Sequence, residues 1–128
     1  MTLPEKIAKA CLLDGELTPN ELLLGLGTGK YQQFAKDGTV LLTSLVETEL
    51  GAGCRIVLAA GDFKDVWALH DEQAEVFARE KGRKYMIGQG RPAWARSAAQ
   101  RGYKSHGCRI NAAGNEVAIM VKDIEGAR

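Results

Sequence analysis

"RIVLAAGDFKDVWAL", residues 55–69, changes its period part-way along. Residues 55–60 are an apolar run of strand length, and beyond Gly61-Asp62 the apolar residues recur at helical spacing. A strand feeding a helix through a glycine turn is the building unit of α/β folds. Such a turn also places helix N–H groups where a phosphate can bind. Whether Gly61-Asp62 holds an anion or only turns the chain separates the question of fold from that of function.

Downstream, Val66, Leu69, Gln73, Ala74, Phe77 and Ala78 form a helical stripe over about 64–81, with Glu72, Glu75, Arg79 and Glu80 facing water. Gly82 closes this helix. "KYMIG" is a short strand, and "RPAWARSAAQRG" is a helix opened by Pro92 and ended by Gly102. "YKSHGCRI" and "NEVAIMVKDI" are two strands joined by "NAAGN".

Upstream, "KYQQFAKDGTVLLTSLVETEL" reads as a hairpin, since Asp37-Gly38 supplies the positive φ of a type I′ turn. Its second arm, 39–50, has apolar residues on both faces and is expected to be an interior strand, with "GAG" at 51–53 turning the chain. Thr2 and Pro4 start a helix over about 4–13 that carries Ile7, Ala8, Cys11 and Leu12, ended by Gly15. "TPNE" at 18–21 is a capping box for a second short helix with Leu22, Leu23 and Leu26. The order α-α-β-β-β-α-β-α-β-β predicts an α/β (α+β) mixed sheet flanked by helices. It forms one domain over 1–128, with a helical extension at 1–29 and a sheet core at 30–122.

The chain has 128 residues, with 17 Lys and Arg against 16 Asp and Glu. That balance gives no general attraction to nucleic acid or to an anionic membrane. Three scattered cysteines, Cys11, Cys54 and Cys108, make neither a disulfide framework nor a zinc site. Charges run through the N-terminal apolar stretch, and no apolar run is long enough to span a bilayer, so an intracellular, non-secreted protein is expected.

The segment "EVFAREKGRKYMIGQGRPAWARSAAQRGYKS", a helix ending in "KG", a strand, and a helix ending in "GY", is similar to the core of GNAT N-acetyltransferases. With the order of elements, that likeness spans about 39–121. The narrower pattern "GD…W.L…FAR.KG…..G.GR..W.R.....GYK" resembles small tailed-bacteriophage proteins with GNAT-like domains. The GNAT resemblance implies acetyl-CoA, its pyrophosphate held at the turn into the central helix by a Q/R-x-x-G-x-G/A pattern. Here that turn is "AAGDFKD". It has one glycine, Gly61, no leading Arg or Gln, and two carboxylates, Asp62 and Asp65, where phosphates would lie. Asp62 reads instead as the N-cap of the helix. Tyr103, directly after Gly102, matches the family's packing aromatic rather than its general-acid tyrosine.

"GLGTGK" at 25–30 lacks phosphate-loop spacing and reads as a glycine helix end plus a loop. "GQGRPAW" at 88–94 is the better anion candidate: Gly90, Arg91 and Arg96 lie where a strand enters a helix. The bland alternative has those arginines solvated or paired to Asp71 or Glu75. His70 and His106 have no metal or triad spacing and read as structural, as Cys54 and Cys108 read as small buried hydrophobes. Trp67 and Trp94 each open a helix; exposed, they would be interface anchors, and buried, ordinary core.

No catalytic, cofactor-binding or metal-ligating residue is assigned. The damaged turn and the phage resemblance lead to the expectation of a non-catalytic virion or assembly protein, in the virion or host cytoplasm. It would bind other phage structural proteins in symmetric copies through Leu22, Leu23, Leu26, Trp67 and Trp94. The alternatives are an acetyl-CoA-dependent N-acyltransferase, with Glu47 or Glu49 as base beside pantetheine bound near 39–50, and a small regulatory protein that binds a host factor.

Overall fold

A computed structural model describes residues 18–125. The expected helix over 4–13, with Ile7, Ala8, Cys11 and Leu12, lies outside the described residues. The elements are α1 (Pro19–Gly27), β1 (Gln32–Lys36), β2 (Thr39–Thr48), β3 (Gly51–Ala60), α2 (Phe63–Leu69), a π-helical turn (His70–Ala74), α3 (Glu75–Glu80), β4 (Tyr85–Gly90), α4 (Pro92–Gln100), β5 (Lys104–Ile110) and β6 (Glu116–Asp123).

The six strands form one mixed sheet in the order β1-β2-β3-β4-β6-β5. Only β3 and β4 are parallel, joined through α2, the π turn and α3; every other neighbouring pair is antiparallel. Turn chemistry fixes the connections. Asp37 and Gly38 take φ of 47° and 77°, as a type I′ hairpin requires. Thr18 accepts the Glu21 N–H to cap α1. Asn111 Oδ1 accepts the N–H groups of Ala113 and Asn115 in the last hairpin turn.

Alternation along the strands makes a core on each face of the sheet. Leu41, Cys54, Met86 and Met120 meet Val66, Trp67, Leu69, Ala74, Ala78, Ala98 and Tyr103 on the helical side. Tyr31, Val40, Leu42, Leu58 and Ala60 pack with Leu26 and Val57 on the other.

Four local readings are corrected. Gly51–Gly53 already belong to β3, and the chain turns at Glu49-Leu50. Cys108 is exposed rather than buried, because β5 is an edge strand exposed along its whole length. Gln73 faces water, whereas Glu75, expected outside, is largely covered and ion-paired to Lys122 Nζ at 2.6 Å. The π turn causes this last exchange: the Glu75 N–H bonds the His70 carbonyl five residues back, and the extra residue rotates the stripe that follows.

Candidate active site

The turn at Gly61-Asp62 is a closed one. Gly61 takes φ of 125° against Thr39, whose Oγ1 accepts the Asp62 N–H at 3.1 Å. Asp62 Oδ1 accepts the N–H groups of Lys64 at 2.9 Å and Asp65 at 3.3 Å. The donors that would face a phosphate at the start of α2 already hold a carboxylate, and Asp65 adds a second acid in the first turn. A phosphate brought to about 4 Å of a carboxylate there would meet a repulsion of about 4 kcal/mol at the effective dielectric of a protein surface.

Beside that turn, the sheet opens. β3 and β4 pair at three positions only, ending at Arg55↔Ile87, although both strands run on. From there β3 follows β2 as far as Val40↔Ala60, and β4 follows β6 as far as Gly90↔Ala118. The local cause is a bulge. Leu42 pairs with Leu58 and Thr43 with Ile56, leaving Val57 without a partner on β2 and bending β3 two residues past its last pair with β4. The fork encloses a cleft of about 200 Å³ lined by Ile56–Ala59, Gln89, Gly90 and Trp94. A second hollow, about 350 Å³, is lined by Arg55, Ile87, Gly88, Gln89, Arg109 and Ile119. Arg109 Nε–H donates to Gln89 Oε1 at 2.9 Å, and Gln89 is common to both spaces.

Behind the cleft lies an aromatic block. Trp67 and Trp94 stack at 6.2 Å and 11°, bridging α2 and the first turn of α4, and Tyr103 meets both rings edge-on. Arg101 sits over the Trp67 ring at 4.5 Å and pairs with Asp71 at 3.0 Å. His70 joins this block to the π turn: Nδ1 lies 2.8 Å from Asp71 Oδ1, and Nε2 lies 2.5 Å from the Tyr103 hydroxyl. The carboxylate can only accept, so Nδ1 carries the proton and Nε2 accepts from the phenol. Burial lowers the His70 pKa against the upward pull of Asp71, and burial lifts the Tyr103 phenol well above its ordinary value, with Glu75 pushing the same way. Both rings are neutral at pH 7, and neither lines the cleft. Burial also raises the Cys54 thiol, which removes it as a nucleophile.

The anticipated residues are scattered over the molecule. Gly90 lines the cleft; Arg91 is the N-cap residue of α4, whose first turn has no side-chain cap; Arg96 is exposed. Asp71 and Glu75 pair with Arg101, Lys122 and Arg79, not with Arg91 or Arg96. Trp67, 3% exposed, has its ring inside the molecule rather than presented to a partner, and Trp94 is half-buried against it. Leu26 packs against the core on the second face of the sheet, while the side chains of Leu22 and Leu23 lie outside what is described. Glu47 and Glu49 are corrected as candidate bases. They stand at the end of β2 away from the fork, with Glu47 paired to Arg83 at 2.8 Å, because the strand bordering the cleft is β3 and not 39–50. His106 is exposed on β5. The sequence reading missed the fork and the His70–Tyr103 bond, whose partners are 33 residues apart.

No protein-family model matches this chain, and no curated protein matches it. Solved structures do. The N-acyl amino acid synthase FeeM from uncultured soil microbes aligns with a TM-score of 0.73 at 9% identity, over 98% of this chain and 91% of that one. The ribosomal-protein-S5-alanine acetyltransferase of Vibrio fischeri gives 0.63 at 8% identity, over 100% and 92%. A protein of Desulfovibrio desulfuricans described as a GNAT-family acetyltransferase gives 0.62 at 14%, over 94% and 91%. These structures overturn the expectation of a non-catalytic phage scaffold, since they are acyl- and acetyltransferases and nothing in them indicates a phage protein. At such identities the likeness is one of fold, and the fold is that of the GNAT acetyltransferases.

Proposed function

We propose that the chain is an N-acyltransferase that moves an acyl group from a pantetheine thioester, acetyl-CoA in the first instance, to an amine. The observation that carries this reading is the fork. Beyond Arg55↔Ile87 the facing edges of β3 and β4 are not paired to each other, so an extended amide-bearing arm can lie between them as a strand would. Proteins named for making N-acyl amino acids and for acetylating a ribosomal-protein alanine share the fold.

In this arrangement the thioester lies near the bulge at Val57, and the amine approaches through the hollow beside Arg55 and Arg109. The amine nitrogen attacks the thioester carbonyl, the C–N bond forms, the C–S bond breaks, and the proton lost by nitrogen balances the one gained by the departing thiolate. Among the described residues no Asp, Glu, His, Lys, Cys or Tyr lines either space, so the rate follows the ionisation of the acceptor amine itself.

The start of α2 does not fit a diphosphate, because Asp62 already occupies it. The start of α4, with Arg91 and no side-chain cap, is the open one. Donor affinity would therefore rest on the pantetheine arm. Calorimetry should find acetyl-CoA and acetyl-pantetheine bound with similar affinity by the wild type. Asp62→Ala should lower stability by about 1 kcal/mol for the lost cap. It should also tighten acetyl-CoA several-fold while leaving acetyl-pantetheine unchanged. No heat from either ligand at millimolar concentration would remove the acyltransferase reading.

A further inference from the structure

Resting on the acyltransferase reading, we propose that Trp94 is the specificity-determining residue of the cleft and limits the donor to a short acyl group. Gly88 and Gly90 stand two residues apart on one face of β4, and neither has room for a side chain. A Cβ at Gly88 would lie 2.8 Å from Trp94 Cη2, and one at Gly90 would lie 2.7 Å from Cε3. The indole thus lies flat along the strand, from the mouth of the fork at Gly90 towards its apex. Across the gap, Ile56 Cδ1 comes within 3.4 Å of the Gly88 Cβ position, so the apex is filled from both sides.

The ring cannot retreat. Trp67 lies parallel behind it and Tyr103 meets its edge, and Tyr103 is itself tied to His70 through its hydroxyl. The wall therefore has a fixed position, and the remaining space has a fixed depth. At about 30 Å³ per water-sized atom, the cleft of about 200 Å³ takes about seven non-hydrogen atoms. Sulfur, the carbonyl carbon and oxygen, and the two methylenes next to sulfur account for five. Room is left for about two further carbons, which describes acetyl and propionyl, puts butyryl with its three at the limit and excludes longer chains.

The test is calorimetric titration of pantetheine amides carrying acetyl, butyryl, hexanoyl and octanoyl groups, with NH in place of the thioester sulfur. The wild type should bind acetyl and butyryl and lose affinity at hexanoyl. Trp94→Leu should reverse the order, gaining about fourfold in affinity for each added methylene that finds space. Gly88→Ala, which pushes the indole into the cleft, should shift the preference the other way, towards acetyl. It gives a second reading should Trp94→Leu fail to fold. Wild type binding acetyl and butyryl, with either variant folded and the chain-length order unchanged, would overturn the role of Trp94 and leave the acyltransferase reading standing. Absence of binding across the whole series would overturn both.

Discussion

Gly61→Ala should be a severely damaging single-methyl change, with a loss of about 4 kcal/mol. Two costs combine. The residue sits at φ of 125°, a region that side chains rarely enter, which costs about 1–3 kcal/mol. The new Cβ would also lie 2.4 Å from Thr39 Oγ1 and 2.7 Å from Thr39 Cα, and that overpacking adds about 1–3 kcal/mol. Thr39 cannot give way. It is 1% exposed, begins β2 and accepts the Asp62 N–H. Shifting the turn would break that bond and misplace the carboxylate capping α2. Thermal unfolding should show a fall of roughly 10–20 °C for a domain of this size. Gly27→Ala is the control, because its Cβ meets nothing within 4 Å and its backbone is not in the positive-φ region. If both variants melt with the wild type, the tight contact between Gly61 and β2 is wrong.

The same turn marks how far sequence reasoning reaches. Asp62 as a cap was readable because capping is local: an acceptor two or three residues ahead of unpaired N–H groups needs no other part of the chain. The Asp37-Gly38 hairpin and the glycine ends at Gly82 and Gly102 were readable for the same reason, and all four residues have positive φ. The site was not readable. It is made by the divergence of two strands, and the bulge at Val57 that bends β3 sits in a run of apolar residues with nothing to distinguish it. Without the bulge, β2 and β3 look alike, so the sequence places the ligand beside the long interior strand at 39–50 instead of its neighbour. The π turn is equally silent, although it moved Glu75 inward to Lys122, and so is the bond from His70 at its start to Tyr103. Long-range pairs between single polar residues leave no periodic trace.

His70 should make the stability of this protein depend on pH below about 6.5, and the sign follows from where its proton can go. Burial holds the folded-state pKa below the ordinary value of 6.5, with Lys122 acting in the same direction and Asp71 and Glu75 opposing. The unfolded chain therefore takes up a proton below pH 6.5 that the native protein still refuses. Stability is complete above that pH and is lost as pH falls towards the folded pKa, with a limiting slope of about 1.4 kcal/mol per pH unit. His70→Gln retains an amide donor for Asp71 and an acceptor for Tyr103 but does not titrate, so its unfolding free energy should be flat across the same window. His70→Ala removes both bonds, leaves the Tyr103 hydroxyl without a buried acceptor and opens a hole beside Trp67. Its cost at pH 7 should be about 3 kcal/mol, from a stranded polar group and lost packing together. Urea unfolding of the three proteins at pH 7.5, 6.5 and 5.5, with His106→Gln as the surface control, separates the effects. A wild-type slope that survives in His70→Gln would place the titrating group elsewhere. A slope of opposite sign would mean that Asp71 outweighs burial, holds His70 as an imidazolium, and makes the Tyr103 contact one in which His70 donates rather than accepts.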